Sequence, residues 1–193
     1  MYKRQVQFSA GLFTERLHLR EEDAALIRRE VLATTEWVRM DRGTISDDDA
    51  LERMCARLPR RLHDAAAYLV HRWNDPIIPV PGMAALACDL KNAGYDLYLL
   101  SNAAARQHTY WHDIPGSQWF SGTFISADYH LLKPEAAIYQ AFFEKFGLKP
   151  EECLFIDDNP ANIEASENAG MRGIIFHGDA ARLRRQLTEL GIL

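Results

Sequence analysis

Three short polar clusters in this sequence contain the residue types that phosphate and metal chemistry requires. They supply a hydroxyl, an amide, an ammonium group and two carboxylates, which in proteins bind phosphoryl oxygens or Mg²⁺. Each cluster lies beside an apolar run or a proline that marks the end or the start of a regular element. In chain order the clusters are Ser101 with Asn102, then Lys133, then Asp157 with Asp158.

The first cluster ends the apolar run 97–100. The side chains of Ser101 and Asn102, with the backbone amides that open the next helix, could bind the oxygens of a phosphate. Serine and asparagine are also among the most common helix caps, so a cap without any ligand is the alternative for this pair.

The second cluster is a single lysine placed before Pro134. Proline favours the first turn of a helix and orients the residue before it, so Lys133 could hold its charge against a phosphoryl group or between carboxylates. Because most lysines are exposed, a solvated surface lysine is the alternative.

The third cluster, Asp157 and Asp158, follows the apolar run 153–156. Two carboxylates at the end of a buried strand repel each other, and the pKa of one rises unless a cation lies nearby. Magnesium takes one or two protein carboxylates together with waters and substrate phosphate oxygens. The pair therefore predicts a magnesium site, and the alternative is an Asx turn with a helix cap.

From Pro81 onward the sequence alternates helix and strand, which predicts a parallel sheet covered by helices on both faces. The clusters follow predicted strands or the loops beyond them, where open α/β sheets bind ligands. The spacings of 31 residues from Asn102 to Lys133 and 24 from Lys133 to Asp157 each fit one helix plus one strand. The predicted strands cover 96–100, 123–126, 153–156 and 173–176, and the predicted helices cover 82–92, about 103–116, 134–147, 159–170 and 179–190.

The first half of the sequence is predicted to be helical. A helix over 21–38 ends before Gly43, Ser46 caps a second helix, and a third covers about 62–73 before a run of prolines. This half has the pattern of a small helical lid.

Composition excludes several classes of protein. The chain has 193 residues, 48% apolar and 25% charged, which is typical of a folded globular domain. A formal net charge of -5 with scattered basic residues argues against nucleic-acid binding. Its apolar runs are too short to cross a membrane, and no continuous signal-peptide stretch is present. Three scattered cysteines favour reduced thiols, so we expect a cytoplasmic protein that binds neither nucleic acid nor membrane.

The three clusters lie in segments that resemble motifs of one superfamily. LYLLSN (97–102), LLKPEAAIY (131–139) and LFIDDNPANI (154–163) resemble the second, third and fourth motifs of the haloacid dehalogenase-like hydrolases. The resemblance covers residues 81–193, and the preceding helical segment is similar to that family's small helical cap. In detail the sequence resembles sugar-phosphate phosphatases of the glucose-1-phosphatase-like kind, whose cap begins in a stretch similar to EWVRMDRGTIS (36–46).

The resemblance implies a role for each predicted site residue. Ser101 and Asn102 would bind phosphate, Lys133 would hold the nucleophile and phosphate in place, and Asp158, assisted by Asp157, would bind Mg²⁺. Because dehalogenases of the family work without a metal, the paired acids favour a phosphatase of small phosphorylated metabolites, acting through an aspartyl-phosphate. The implied fold is α/β, a Rossmann-like parallel sheet at 79–193 with a small helical cap at 14–78.

The family's first motif, a hydrophobic strand ending in the aspartate nucleophile, has no match here. No aspartate precedes Asp23, which lies in a predicted helix, and Asp47 and Asp49 have no strand ahead of them. Ser9, after the strand-like residues 6–8, falls at the nucleophile's place but has no evident base. We therefore expect a sheet that lacks most of its first, central strand, and an inactive chain without the nucleophile motif.

Residues 1–5 resemble translated sequencing-adapter sequence, so we expect residues 1–13 to be a remnant or non-native N-terminus and the chain to be N-terminally truncated. Two alternatives are a non-catalytic phosphate-binding or regulatory protein and a haloacid dehalogenase. A third treats the helical half as an interaction module whose contact surface includes Trp37, Trp73, Trp111 and Trp119.

Overall fold

The structure is a computed structural model that describes residues 10–193. The strand-like residues 6–8 and Ser9, where the sequence suggests the nucleophile's place, lie outside the described residues. Within 10–193, no helix combines the length and the apolar content that a membrane crossing needs. The helical segment, residues 10–78, contains α1 (Ala10–Arg16), α2 (Glu21–Ile27), a π-helical turn (Arg28–Leu32), α3 (Thr35–Asp41), α4 (Asp47–Cys55), a 3-10 turn (Arg60–Leu62) and α5 (His63–Arg72).

The second segment, residues 79–193, alternates helices and strands as the sequence predicts. It contains α6 (Met83–Asn92), β1 (Leu97–Ser101), α7 (Gln107–Tyr110), 3-10 turns at Trp111–Asp113 and Ser117–Trp119, β2 (Phe120–Ile125), α8 (Ser126–Tyr129), α9 (Ala136–Phe146), a 3-10 turn (Pro150–Glu152), β3 (Leu154–Asp157), α10 (Pro160–Asn168), β4 (Arg172–Ile175) and α11 (Ala180–Glu189).

The four described strands form two parallel pairs. In the first pair Ser101 of β1 lies opposite Ile125 of β2, and in the second pair Asp157 of β3 lies opposite Ile175 of β4. Ser101 and Asp157 are therefore the carboxyl-terminal residues of their strands. The α/β class predicted from the alternation of helix and strand is confirmed.

Consecutive strand residues point to opposite faces, so each strand contributes apolar side chains to two layers of helices. Leu97 and Ile156 pack in one cluster with apolar residues of α6 and α11. Leu100 and Phe155 pack in another with Tyr139 and other aromatic residues of α9. Each fully buried leucine or phenylalanine contributes about 1.5–3 kcal/mol to stability, so both layers hold the strand ends in place.

The helical segment has its own apolar core, centred on Ile27, Met54 and Leu69. Ser46 caps α4 as predicted, since its hydroxyl accepts a hydrogen bond from the backbone N–H of Asp49. The single helix predicted over 21–38 is wrong. Thr34 adopts an extended conformation and caps α3 by accepting from the backbone N–H of Trp37, so the chain turns between two shorter helices.

The long helix predicted from about 103 to 116 is also wrong. The chain forms a loop at 103–106, the four-residue helix α7 and two 3-10 turns, and Gly116 adopts a positive φ of 92°. The backbone N–H of Ala103 donates to the hydroxyl of Ser126 rather than entering a helix. The second strand runs from Phe120 to Ile125 instead of 123–126, so Ser126 opens a helical turn.

Candidate active site

Lys133 lies between the two strand pairs. Its side chain is fully buried, and Nζ donates hydrogen bonds to the carbonyl oxygen of Leu100 at 2.6 Å and to Oδ2 of Asp157 at 2.8 Å. Leu100 belongs to β1 and Asp157 to β3, so one ammonium group connects the carboxyl ends of both pairs. The alternative of a solvated surface lysine is therefore wrong.

Asn102 fixes the backbone of Lys133. Its Oδ1 accepts from the backbone N–H of Lys133 at 2.8 Å, and its Nδ2 donates to the carbonyl oxygen of the same residue at 2.9 Å. The cap alternative fails for Asn102, because α7 begins at Gln107 and the preceding residue is Arg106. Ser101 is buried beside Asn102 at the end of β1.

The two acids of the third cluster have different surroundings. Asp157 is buried, and besides Lys133 it accepts at Oδ1 from the backbone N–H of Asn159 and from Nδ2 of Asn162, both at 2.9 Å. The bond to Asn159 is an Asx turn, and Asn159 itself caps α10, so that alternative is correct for Asp157. Asp158 is half-buried and faces a cavity. Ser101, Asn102, Lys133, Asp157 and Asp158 are called the strand-end set below.

A cavity of about 360 Å³ lies over the strand ends, between residues of both segments. Four members of the strand-end set line it, all except Asp157, whose carboxylate bonds to the lining residues Lys133 and Asn162. Its volume is within the range of about 300–1,000 Å³ that is usual for small-molecule sites. The other lining residues are Trp37, Met40, Asp41, Trp73, Ala103, Ala104, Arg106, Gln107, Tyr110, Ile114, Asn159 and Asn162.

The tryptophans suggested as a contact surface lie mostly inside the molecule. Trp37 and Trp73 line the cavity, while Trp111 and Trp119 pack against apolar clusters of the α/β segment.

Three early aspartates of the sequence, Asp23, Asp47 and Asp49, lie in helices of the helical segment. Asp23 accepts from Arg61 at 2.7 Å, and that hydrogen bond lowers the pKa of its carboxyl.

The sequence of the chain matches a known family over most of its length. The model of the haloacid dehalogenase-like hydrolases matches residues 4–170. The chain belongs to this hydrolase family. It is 25% identical to a sesquiterpene phosphatase of Aspergillus oryzae over 150 residues, 75% of this chain and 74% of that protein. It is 29% identical to flavin mononucleotide hydrolase 1 of Arabidopsis thaliana over 111 residues, 58% of this chain and 45% of that protein.

Solved structures of haloacid dehalogenase-like proteins share the fold. A wild-type family enzyme of Bacteroides thetaiotaomicron, in complex with magnesium and inorganic phosphate, gives a TM-score of 0.70 at 18% identity over 94% of this chain and 96% of that one. L-2-haloacid dehalogenase of Xanthobacter autotrophicus gives a TM-score of 0.65 at 18% identity, over 100% of this chain and 82% of that one. The Rossmann-like fold implied by the motifs is therefore confirmed.

The donor set of the cavity is compatible with a partial Mg²⁺ shell. The described residues include no group of three or more His, Cys, Asp or Glu that could hold a metal by itself. Magnesium needs only one or two protein carboxylates when phosphate and water complete the shell, and Asp158 lines the cavity. Oδ1 of Asn162 is buried there and accepts no hydrogen bond from a described residue. Since Nδ2 of the same amide donates to Asp157, this oxygen is a second candidate metal ligand beside the acids.

Among the polar residues that line the cavity, sequence reasoning missed the roles of Asp41, Arg106, Gln107 and Asn162, and only Asn162 had a usable signal. Asn162 lies in the first turn of α10, so its distance of five residues from Asp157 could have placed it near the strand end. Arg106 and Gln107 fell within the wrongly predicted long helix. Asp41, the last residue of α3, reaches the cavity from the helical segment, which no sequence spacing indicates.

Proposed function

We propose that this haloacid dehalogenase-like protein binds a small phosphorylated metabolite of the sugar-phosphate class together with Mg²⁺, and that its catalytic form is a phosphatase. The strand-end set supplies the phosphate site. Phosphatase and hydrolase activity in the names of the Aspergillus and Arabidopsis relatives supports this class of reaction. The small cavity over the strand ends, which has both polar and aromatic side chains in its lining, supports a small-molecule substrate.

One observation carries the proposal: Lys133, whose ammonium group is fully buried, joins the three predicted clusters. Lys133 contacts Asp157 through its side chain and Asn102 through its backbone. A charge buried in this way adds electrostatic stabilisation that is stronger than in water, because the surrounding dielectric is low. Because Asp157 offsets the charge of Lys133, a dianionic phosphate beside Ser101 and Asn102 would meet a fixed ion pair, and Mg²⁺ held by Asp158 would supply the positive charge.

The proposed chemistry divides the work among this chain's residues. Ser101 and Asn102 bind the phosphate, Lys133 orients it, and Asp158, held by the turn that Asp157 makes, is the main protein ligand for Mg²⁺. Magnesium, when bound, neutralises phosphate charge during attack. The aspartyl-phosphate step needs an aspartate nucleophile, and no aspartate precedes Asp23. We therefore expect this chain to bind phosphate without turnover.

Calorimetry with inorganic phosphate, in the presence and absence of Mg²⁺, tests the binding half of the proposal. The wild-type chain should bind phosphate more tightly with Mg²⁺. Asp158→Asn should lose this gain in affinity. The loss should exceed the roughly tenfold loss of metal affinity that follows removal of an outer-shell partner, because Asp158 is proposed to contact the metal directly. Asp113→Asn removes the same charge from an exposed turn and should keep the gain. An Asp158→Asn chain with the full Mg²⁺ effect contradicts the assignment of Asp158.

A graft tests the catalytic half. A hydrophobic strand ending in aspartate, placed before Phe13, should give Mg²⁺-dependent hydrolysis of a generic phosphate monoester, while the wild-type chain gives none. The same graft ending in asparagine is the matched control, because it restores the strand without the nucleophile. A graft that unfolds cooperatively yet hydrolyses nothing contradicts a phosphatase mechanism.

A second candidate function is a non-catalytic phosphate-binding protein. The absence of any aspartate before Asp23 favours it, because the strand-end set alone can bind phosphate but offers no nucleophile. Phosphate binding by the wild-type chain, combined with an inactive aspartate graft, would support this function over the first.

A further inference from the structure

The cavity contains buried polar groups that the phosphate site does not use. Gln107, the first residue of α7, is 7% exposed and lines the cavity. Its Oε1 is fully buried and accepts no hydrogen bond from any residue in 10–193. A buried acceptor without a donor is costly, because it has lost its hydrogen bonds to water. A donor supplied by a ligand would remove this cost.

Arg106, the residue before Gln107, has unused donors in the same cavity. Its side chain is 15% exposed, and Nη1 donates to Oδ1 of Asn74 at 3.3 Å. Its Nε lies 3.7 Å from Oδ2 of Asp47, beyond hydrogen-bond range. A guanidinium has five N–H donors, and the described residues accept only this one hydrogen bond from it. Burial also lowers the pKa of Arg106.

The aromatic wall fixes where Arg106 lies. Its Cζ is 5.6 Å from the centre of the Trp73 ring, and Trp73 packs edge-to-face with Tyr110 at 5.5 Å. The contact with Trp73 and the bond to Asn74 hold the guanidinium against the helical segment. Trp73, Arg106 and Gln107 are called the leaving-group set below. They combine an aromatic face, several N–H donors and one unsatisfied oxygen.

We propose that the leaving-group set contacts the alcohol part of the substrate, and that it selects a polyhydroxylated ring. The Gln107 amide turns toward the cavity and accepts from a ligand hydroxyl at Oε1, other hydroxyl oxygens accept from Arg106, and C–H groups of the ring contact the Trp73 indole. An apolar alcohol of the same size would leave both polar side chains unsatisfied, so it binds less well. This inference rests on the proposed function, because it requires phosphate at the strand-end set.

The test compares two ring phosphates of similar size by calorimetry with Mg²⁺: glucose 1-phosphate and cyclohexyl phosphate. Inorganic phosphate is the reference for the strand-end set. The wild-type chain should bind glucose 1-phosphate at least about fivefold more tightly than cyclohexyl phosphate, which is the effect of one or two net hydrogen bonds. Equal binding of the two, or tighter binding of cyclohexyl phosphate, overturns the inference without any variant.

Variants assign the selectivity to residues. Gln107→Leu should reduce the preference for glucose 1-phosphate to below about twofold and leave the affinity for inorganic phosphate unchanged. Gln140→Leu makes the same change on an exposed face of α9 and should alter neither value. Arg106→Lys keeps the charge but loses the planar donor set, so it should weaken the binding of glucose 1-phosphate and leave the binding of inorganic phosphate unchanged. This second variant keeps the inference testable if Gln107→Leu does not fold.

The outcomes separate this inference from the proposed function. A wild-type chain that binds no inorganic phosphate overturns the proposed function, and the inference with it. A chain that binds phosphate but keeps its full preference in both Gln107→Leu and Arg106→Lys overturns the inference alone. Equal loss of affinity for inorganic phosphate and glucose 1-phosphate also overturns it, because the residues would then support the strand-end set.

Discussion

Asn102, Lys133 and Asp157 of the strand-end set bond to one another, whereas Gln107 of the leaving-group set has a buried oxygen that no described residue satisfies. Lys133 contacts Asp157 at 2.8 Å and is held by Asn102 through two backbone hydrogen bonds. Gln107 has a buried oxygen with no described donor. Both sets line or adjoin one cavity, so their difference does not come from a separate location in the molecule.

The difference indicates which part of a ligand each set serves. A phosphate is the same in every phosphorylated metabolite, so its site can be fully preorganised before binding. The alcohol part differs between substrates, and a site that leaves hydrogen-bonding atoms unsatisfied gains most from the one ligand that satisfies them. Specificity is therefore expected to lie in the loop after β1 and in the helical segment that contacts it.

The largest expected effect comes from removing the charge of the strand-end set. Lys133→Met keeps most of the apolar stem but leaves the carboxylate of Asp157 buried without its cation. We expect the free energy of unfolding to fall by about 3–5 kcal/mol, as for other broken buried ion pairs. Urea unfolding followed by circular dichroism measures this change.

A double-mutant cycle is the control for that prediction. Asp157→Asn removes the charge that Lys133→Met leaves behind, so the double variant should be more stable than the sum of the two single losses predicts. Additive losses would mean that the two side chains act independently, and the strand-end set would then not be held by its own bonds.

A second prediction concerns the junction that brings the helical segment onto the cavity. Gly43 has a φ of +71°, and a Cβ placed there would lie 2.2 Å from the carbonyl oxygen of Ala127. Gly43→Ala should destabilise the protein by about 2–4 kcal/mol, because the left-handed conformation and the clash both oppose it. It should also weaken glucose 1-phosphate binding more than inorganic phosphate binding, because Asn74 and Trp73 would move away from Arg106.

The matched control for this junction is Gly147→Ala. Gly147 has a similar φ of +63°, but a Cβ there would have no neighbour within 4 Å. Only the conformational cost of about 1–2 kcal/mol should appear in thermal unfolding, with no change in ligand selectivity. Equal losses in the two alanine variants would contradict a close backbone contact between the segments.

The same difference between the two sets explains how far the sequence could predict the site. Asp157, Lys133 and Asn102 follow apolar runs or precede a proline, and such local signals place a residue at a strand end. Their contacts with each other depend on Lys133, which bridges the carboxyl ends of the two parallel strand pairs. The α/β class and the three clusters were therefore predictable from spacing alone.

The surroundings of Arg106 were not predictable, because they depend on packing between distant parts of the chain. The run of alanines at 103–105 has high helix propensity, yet Ala103 bonds to Ser126 and the loop stays open at the cavity. Asn74 and Asp47 reach Arg106 from the helical segment, and no periodicity links residues so far apart. Tertiary contacts overrode propensity at the place where substrates are expected to differ.

The smallest expected effect comes from the ion pair that joins the two segments at their surface. Arg42, after α3, forms a bidentate ion pair with Glu135, and its Nη1 also donates to the carbonyl oxygen of His130 at 3.2 Å. The hydrogen bond from Arg42 lowers the pKa of Glu135 from its ordinary value of 4.5. Because both side chains are partly exposed, Glu135→Gln should reduce the free energy of unfolding by no more than about 1 kcal/mol.

The pH dependence gives the sign of this effect. The pKa of Glu135 is lower in the folded state, so its contribution is complete above the unfolded value of 4.5 and disappears as pH falls through the folded pKa. Urea unfolding should show a constant difference between wild type and Glu135→Gln from pH 7 to about 5, and no difference at the acid end of the titration. A difference that grows on acidification would contradict a stabilising ion pair between Arg42 and Glu135.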